Sequence, residues 1–180
     1  MQAVYFGGSR NLPVSPLIPQ VVRSVIRSGC AVHVGCQFGA DAQIMQAASI
    51  APSFLIVFAL APSITTTPPH VQRAAALGAS VTLAAGGRSA PMRARYLLRS
   101  LAALRGCGQA IFFQPGRGSL AVASHAAAAG LPVFAFAAEA PAPIPNQAGA
   151  WLPISPESYY AAFSSPCFTW QPLATQAAMI

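Results

Sequence analysis

The sequence predicts an α/β protein built on a Rossmann-like open, mainly parallel sheet of about six strands with helices on both faces. Three observations carry this reading. Short apolar runs alternate along the chain with stretches of helical period. The runs are continuously apolar, as strands covered on both faces require. Glycine-rich segments stand where an apolar run passes into a helix: Gly7-Gly8-Ser9-Arg10, Gly35-Cys36-Gln37-Phe38-Gly39-Ala40-Asp41, and Pro115-Gly116-Arg117-Gly118-Ser119.

Residues 3–6 form the first strand and end at Gly7-Gly8. Residues 16–28 repeat apolar positions at Leu17, Val21, Val22, Val25 and Ile26 with Arg23 and Arg27 between them, an amphipathic helix closed by Gly29. The second strand is 31–34, and the helix 40–50 carries Ile44, Met45 and Ala48 on one face. Residues 54–60 read as a buried strand. The Thr65-Thr66-Thr67-Pro68-Pro69 loop, a short helix ending at Gly78, the strand 80–84 and the pair Gly86-Gly87 come next. A helix over about 91–105 aligns Leu97, Leu101 and Leu104 in one stripe. The strand 110–113, a small-residue helix over 119–129 and the strand 132–136 complete the alternation.

From residue 137 the pattern breaks into Glu139-Ala140-Pro141-Ala142-Pro143-Ile144-Pro145, which continues neither a helix nor a central strand. The expected organisation is a Rossmann-like domain over 1–138, then a Pro-rich linker and aromatic tail over 139–180. In the tail, Ser155-Pro156-Glu157 reads as an N-cap with proline at the first helical position, leading into Tyr159, Tyr160 and Phe163. With Trp151, Phe168 and Trp170, these aromatics are expected to pack onto the domain or onto a partner subunit.

A chain of 180 residues suffices for one domain with a core and is short for two. Ten basic residues against three acidic ones give a formal charge of +7, and every base is arginine, which excludes a P-loop lysine. Arginine forks suit phosphate, nucleotide or nucleic-acid partners. The abundance of Ala, Pro and Gly equally fits a gene drifting to GC-rich codons, in which Arg replaces Lys without selection for binding. The sequence leaves both explanations standing. Cys30, Cys36, Cys107 and Cys167 form no CxxC pair and no metal-ligand spacing with His33, His70 or His125, so reduced thiols are expected and no pattern asks for a metal or a cofactor. The most apolar run, 54–61, is too short to span a bilayer, and the expectation is a soluble cytoplasmic protein with no membrane partner.

Ligands of an open parallel sheet bind beyond the carboxyl ends of its strands, where the crossover direction reverses. All three glycine-rich segments belong on that edge, and bare amides beside a helix N-terminus attract an anion. The candidate ligand-binding residues are Gly8, Ser9, Arg10, Gly35, Phe38, Gly39, Asp41, Arg93, Arg95, Pro115, Gly116, Gly118 and Ser119. The glycines and serines would donate through backbone or hydroxyl, while Arg10 and either Arg93 or Arg95 supply charge. The last two stand two apart on a helix and cannot both face one ligand squarely. Asp41, the sole aspartate, either caps the second helix or accepts from a ribose hydroxyl or base edge. Each feature also has a structural reading: glycine after a strand is ordinary turn chemistry, Arg10 can tie its loop to the sheet edge, and His33 and His125 suit packing.

Four segments together resemble a known group. Val4-Tyr5-Phe6-Gly7-Gly8-Ser9-Arg10, the Gly35-to-Asp41 segment, Arg93-Ala94-Arg95-Tyr96-Leu97-Leu98, and the stretch from Gly118-Ser119-Leu120 to Phe134 are similar to motifs of the Rossmann-like SLOG superfamily, and within it of the DNA-processing DprA branch. The resemblance covers roughly residues 3–138. It implies a domain that binds single-stranded DNA in the DprA branch and nucleotides or nucleotide-derived ligands in others, frequently as a homodimer. This chain departs from the branch in having Phe38 in place of a loop Arg, Ala94 in place of Asn and Met45 in place of His, although Phe38 can stack on a base. A lysine-decarboxylase-like branch cleaves the N-glycosidic bond of cytokinin nucleotides with Pro-Gly-Gly-x-Gly-Thr-x-x-Glu. Here the turn is one residue shorter and Val122 stands in place of the Glu; the remaining carboxylates for acid–base work are Asp41, Glu139 and Glu157. The expected function is therefore non-catalytic binding of a phosphate-bearing nucleotide or single-stranded DNA. A phosphoribohydrolase-like N-glycosidic hydrolase and a ligand-free oligomeric interaction module are the alternatives.

Overall fold

The computed structural model describes residues 1–84 and 90–173, so the Gly86-Gly87 pair lies outside the described residues. Six strands run parallel: β1 (Ala3–Gly8), β2 (Ala31–Val34), β3 (Leu55–Ala59), β4 (Ser80–Leu83), β5 (Cys107–Phe113) and β6 (Val133–Phe136). Between them lie α1 (Leu17–Arg27), α2 (Ala40–Ala48), α3 (Pro69–Ala76), α4 (Met92–Leu104) and α5 (Arg117–Ala128). The mixed α/β class with a mostly parallel sheet is thus as the sequence predicts. The strand count is not. The sheet has eight strands in the order β4-β3-β2-β1-β5-β6-β8-β7, because the aromatic tail supplies β7 (Gly149–Pro153) and β8 (Cys167–Pro172), both antiparallel additions beyond β6. Prolines bound both strands at Pro153 and Pro172, and this hid their alternation.

The pleat of the parallel strands divides the core. On β1, Val4 and Phe6 face one layer with α1, α2 and α3, whereas Ala3 and Tyr5 face the other with α4 and α5. On β5, Ile111 and Phe113 join the first layer, and Ala110 and Phe112 the second. The tail contributes to both: Tyr160 and Cys167 to the first, Ile144, Trp151 and Trp170 to the second. Trp151 and Trp170 face each other across the β7–β8 ladder with ring centroids 5.4 Å apart.

The expected N-cap at Ser155 is displaced. Ser155 Oγ accepts from the Glu157 N–H in a turn, and the following helix is a single 3₁₀ turn, Tyr159–Ala162, whose cap is Ser158. Tyr160 is pinned there by a 2.7 Å hydrogen bond from Gln109 and by the rings of Phe134 and Phe136, so tertiary contacts decide where the turn starts.

The strand order places the site. From β1 the chain steps outward through β2 and β3 to β4, then returns to lay β5 against the other flank of β1. The crossover direction therefore reverses between β1 and β5, and their carboxyl ends part to leave a crevice.

Candidate functional site

A cleft of about 910 Å³ opens at that reversal, within the size range of small-molecule sites. Gly7, Gly8, Ser9 and Arg10 form one wall, the start of α4 a second through Pro91, Met92, Arg93, Ala94, Tyr96 and Leu97, and the start of α5 a third through Gly116, Arg117, Gly118, Ser119, Ala121 and Val122. Its buried floor is made by Tyr5, Asp41, Arg99 and Ser100.

The glycines fall into two groups when each is asked what a methyl group would strike. At Gly8 an added Cβ would lie 2.4 Å from the Phe113 carbonyl oxygen and 2.7 Å from Ala40 Cβ. At Gly39, which has φ +73°, it would lie 2.3 Å from the Arg10 carbonyl oxygen. At Gly35 it would lie 1.8 Å from Arg99 Nη1 and 2.5 Å from Asp41 Oδ2. Packing within the protein accounts for these three. At Gly116 and Gly118 it would meet nothing within 4 Å among the described residues, and both glycines are exposed on the cleft wall.

The same division runs through the amides. Ser9 N–H donates to the Phe113 carbonyl at 3.1 Å, Ala40 N–H to the Ser9 carbonyl at 3.0 Å, and Gln37 N–H to Asp41 Oδ2 at 3.0 Å. The first two glycine-rich loops thus spend amides on tying themselves together, contrary to the expectation that all three present bare donors to one anion. In the third, the N–H groups of Gly116, Arg117, Gly118 and Ser119 have no acceptor among the described residues. Gly116 is the N-cap of α5 with no side-chain cap bond, and the first bond of the helix runs from Leu120 N–H to the Gly116 carbonyl at 2.9 Å. Helix geometry leaves the N–H groups before Leu120 without intrahelical acceptors, at the positive end of the helix dipole. Ser119 Oγ donates to the Gly8 carbonyl at 2.9 Å, so this hydroxyl joins α5 to β1 instead of pointing at a ligand as a free donor.

Among the described residues, four arginines and one aspartate line the cleft: Arg10, Arg93, Arg99, Arg117 and Asp41. Arg10, Arg93 and Arg117 are exposed. Arg10 sits with Cζ 4.9 Å from the centroid of the Tyr96 ring, so it bridges the first loop to α4 while lining the cleft. Arg99 is 5% exposed and faces the same ring at 5.8 Å. Its Nη1 lies 3.7 Å from Asp41 Oδ2 and 3.5 Å from the Phe58 carbonyl oxygen. Burial pushes the Asp41 carboxyl above the usual carboxylate range, with Arg99 pulling it back. Tyr5, wholly buried beside this pair, is pushed up to about 12 by the same desolvation and stays a neutral phenol. Asp41 caps none of its own helix's amides; it closes the preceding loop through Gln37.

Among the expected ligand residues, Gly8, Ser9, Arg10, Asp41, Arg93, Gly116, Gly118 and Ser119 line the cleft. Gly35, Phe38, Gly39, Arg95 and Pro115 do not. Phe38 is 64% exposed and meets His70 edge-on at 5.1 Å, and His70 hydrogen-bonds to the Cys36 carbonyl at 3.1 Å. His33 is engaged by the Ala103 carbonyl at 2.8 Å, in keeping with packing. Sequence reasoning missed Arg99, Arg117 and Tyr96. Helical spacing from Tyr96 to Arg99 was the available signal for two of them.

No family model matches the chain, and no curated protein does. Solved structures match. DNA processing protein A from Helicobacter pylori, whose structure describes its single-stranded DNA binding mode, superposes with a TM-score of 0.61 at 18% identity, over 77% of this chain and 66% of that one. DprA from Streptococcus pneumoniae gives 0.57 at 22% identity, over 81% and 52%. TM1055, a structural-genomics target, gives 0.55 at 19% identity, over 74% and 72%. The chain spans just under two thirds of the H. pylori protein and about half of the S. pneumoniae one. These likenesses show a DprA-like Rossmann-like fold.

Proposed function

We propose that the cleft binds a nucleotide through its phosphate and does not turn it over. The observation that carries this is the uncapped start of α5, whose two unobstructed glycines face a cleft holding four arginines. A phosphate is the group that answers both the amides and the guanidinium forks. Met92, Tyr96, Leu97 and Val122 give the same cleft apolar surface for a sugar or base. Acid–base catalysis finds little support there. Among the described residues, Asp41 is the cleft's one carboxylate, tied to Arg99 and Gln37, and Val122 stands on the wall.

Single-stranded DNA is the second reading, favoured by the exposed Phe38 ring and by the DNA binding of the H. pylori neighbour. Thermal melting tests both. A mononucleotide at a hundred times its Kd stabilises by about 2.7 kcal/mol. For a chain of this size that raises Tm by about 5–11 °C. Binding of oligo-dT would instead weaken steeply with salt. If neither AMP nor oligo-dT moves the melting curve, the proposal is wrong.

A further inference from the structure

We infer a second anion subsite on the cleft floor, built on Arg99, which makes the preferred ligand a diphosphate and not a monophosphate. This rests on the reading of the cleft as a nucleotide site and goes one step past it. Arg99 is buried, yet its protein partners do not satisfy it. The contacts on Nη1 are long, at 3.5 Å to the Phe58 carbonyl, 3.7 Å to Asp41 and 3.8 Å to Cys36 Sγ, and Nε has no hydrogen-bond partner among the described residues. A guanidinium carries five donors, and a buried one left short of acceptors is costly unless a ligand or water completes it. Asp41 does not complete it, because its Oδ2 is already shared with the Gln37 amide.

The register puts this guanidinium at the right place. Nη1 occupies the notch left by Gly35, the residue after Val34, which pairs with Phe6. The start of α5 is fastened to Gly8, two residues beyond Phe6 on the adjoining strand. Arg99 thus stands at the carboxyl end of β2 and the start of α5 at that of β1, neighbouring strands whose axes are about 4.8 Å apart. One phosphate at the helix start leaves Arg99 unanswered. A second phosphate, linked to the first within the same cleft, is the group that would answer it.

Binding of phosphate, pyrophosphate, AMP and ADP, measured by calorimetry on the full chain, tests this. Pyrophosphate and ADP are expected to bind at least about tenfold tighter than phosphate and AMP, as an added charge-assisted fork contact would give. Arg99→Gln should erase that advantage, so that ADP binds no tighter than AMP to the same variant. Should Arg99→Gln fail to fold, Asp41→Asn decides: removing the carboxylate that competes for Arg99 should widen the ratio of ADP to AMP affinity. ADP binding no tighter than AMP, or a ratio that stays or shrinks in Asp41→Asn, overturns the second subsite and leaves the nucleotide reading intact. Absence of binding by all four compounds overturns both.

Discussion

Replacing Gly118 by alanine should stabilise the protein and disable its cleft. An added methyl meets nothing within 4 Å there, and the residue lies in the first turn of α5. Alanine in a helix is favoured over glycine by up to about 1 kcal/mol. In a chain of this size that raises Tm by about 2–4 °C. The methyl would, however, occupy the space an anion needs to reach the helix amides, and loss of that approach should weaken AMP at least about tenfold, or 1.4 kcal/mol. Gly35→Ala provides the opposite case. Its methyl would sit 1.8 Å from Arg99 Nη1, so the buried ion pair must move. Overpacking a buried site in this way costs about 1–3 kcal/mol, a Tm loss of about 2–12 °C. Melting curves of both variants, with and without AMP, give all three effects. A Gly118→Ala protein that binds AMP like the parent would refute the idea that the open glycines serve a ligand.

Three further outcomes follow from named contacts. Because burial raises the Asp41 pKa, the folded chain takes its proton at a higher pH than the unfolded one. This group's contribution to stability then falls as pH rises from the ordinary value near about 3.9 through the raised one. Asp41→Asn lacks that fall, so urea unfolding should show it gaining on the parent across this window, and parallel curves would contradict the assignment. Tyr160→Ala removes ring contacts to Phe134, Phe136 and Phe163 and the Gln109 bond, and should cost about 3–5 kcal/mol; a loss below about 1 would mean the tail is peripheral. Arg10→Ala should cost only about 0.5–1 kcal/mol of stability, through the Tyr96 face. If single-stranded DNA uses the cleft, its salt slope should drop by about 1 in that variant.

The fold was largely legible because continuous apolar strands and helical stripes are local signals, and each of the six parallel strands lies within three residues of its expected place. What escaped was set by partners distant in sequence. Nothing near Trp151 or Trp170 announces that they will pair across a ladder and extend the sheet beyond β6. The site was half legible for the same reason. Glycine after a strand is readable, but whether it serves a neighbour's backbone, as Gly8 and Gly39 do, or an open cleft, as Gly116 and Gly118 do, depends on what stands opposite. Gly35 is the clearest instance: its small size serves the guanidinium of a residue 64 positions away.

The placement of the arginines also bears on why the chain has so many. Codon drift substitutes Arg for Lys wherever a solvated cation will do, and it fits Arg23, Arg27, Arg73 and Arg105, all exposed and away from the cleft. It does not fit Arg99. A side chain 5% exposed, received into the notch beside Gly35 and set against a desolvated carboxylate, occupies an environment in which the flat, delocalised guanidinium is not interchangeable with an ammonium. Arg99→Lys puts that argument to measurement. A lysine keeps the charge but loses the fork, so it should lower stability and fail to restore the preference for ADP over AMP. Full recovery of both by lysine would return Arg99 to the drifted majority, and the cleft floor would then need no fork at all.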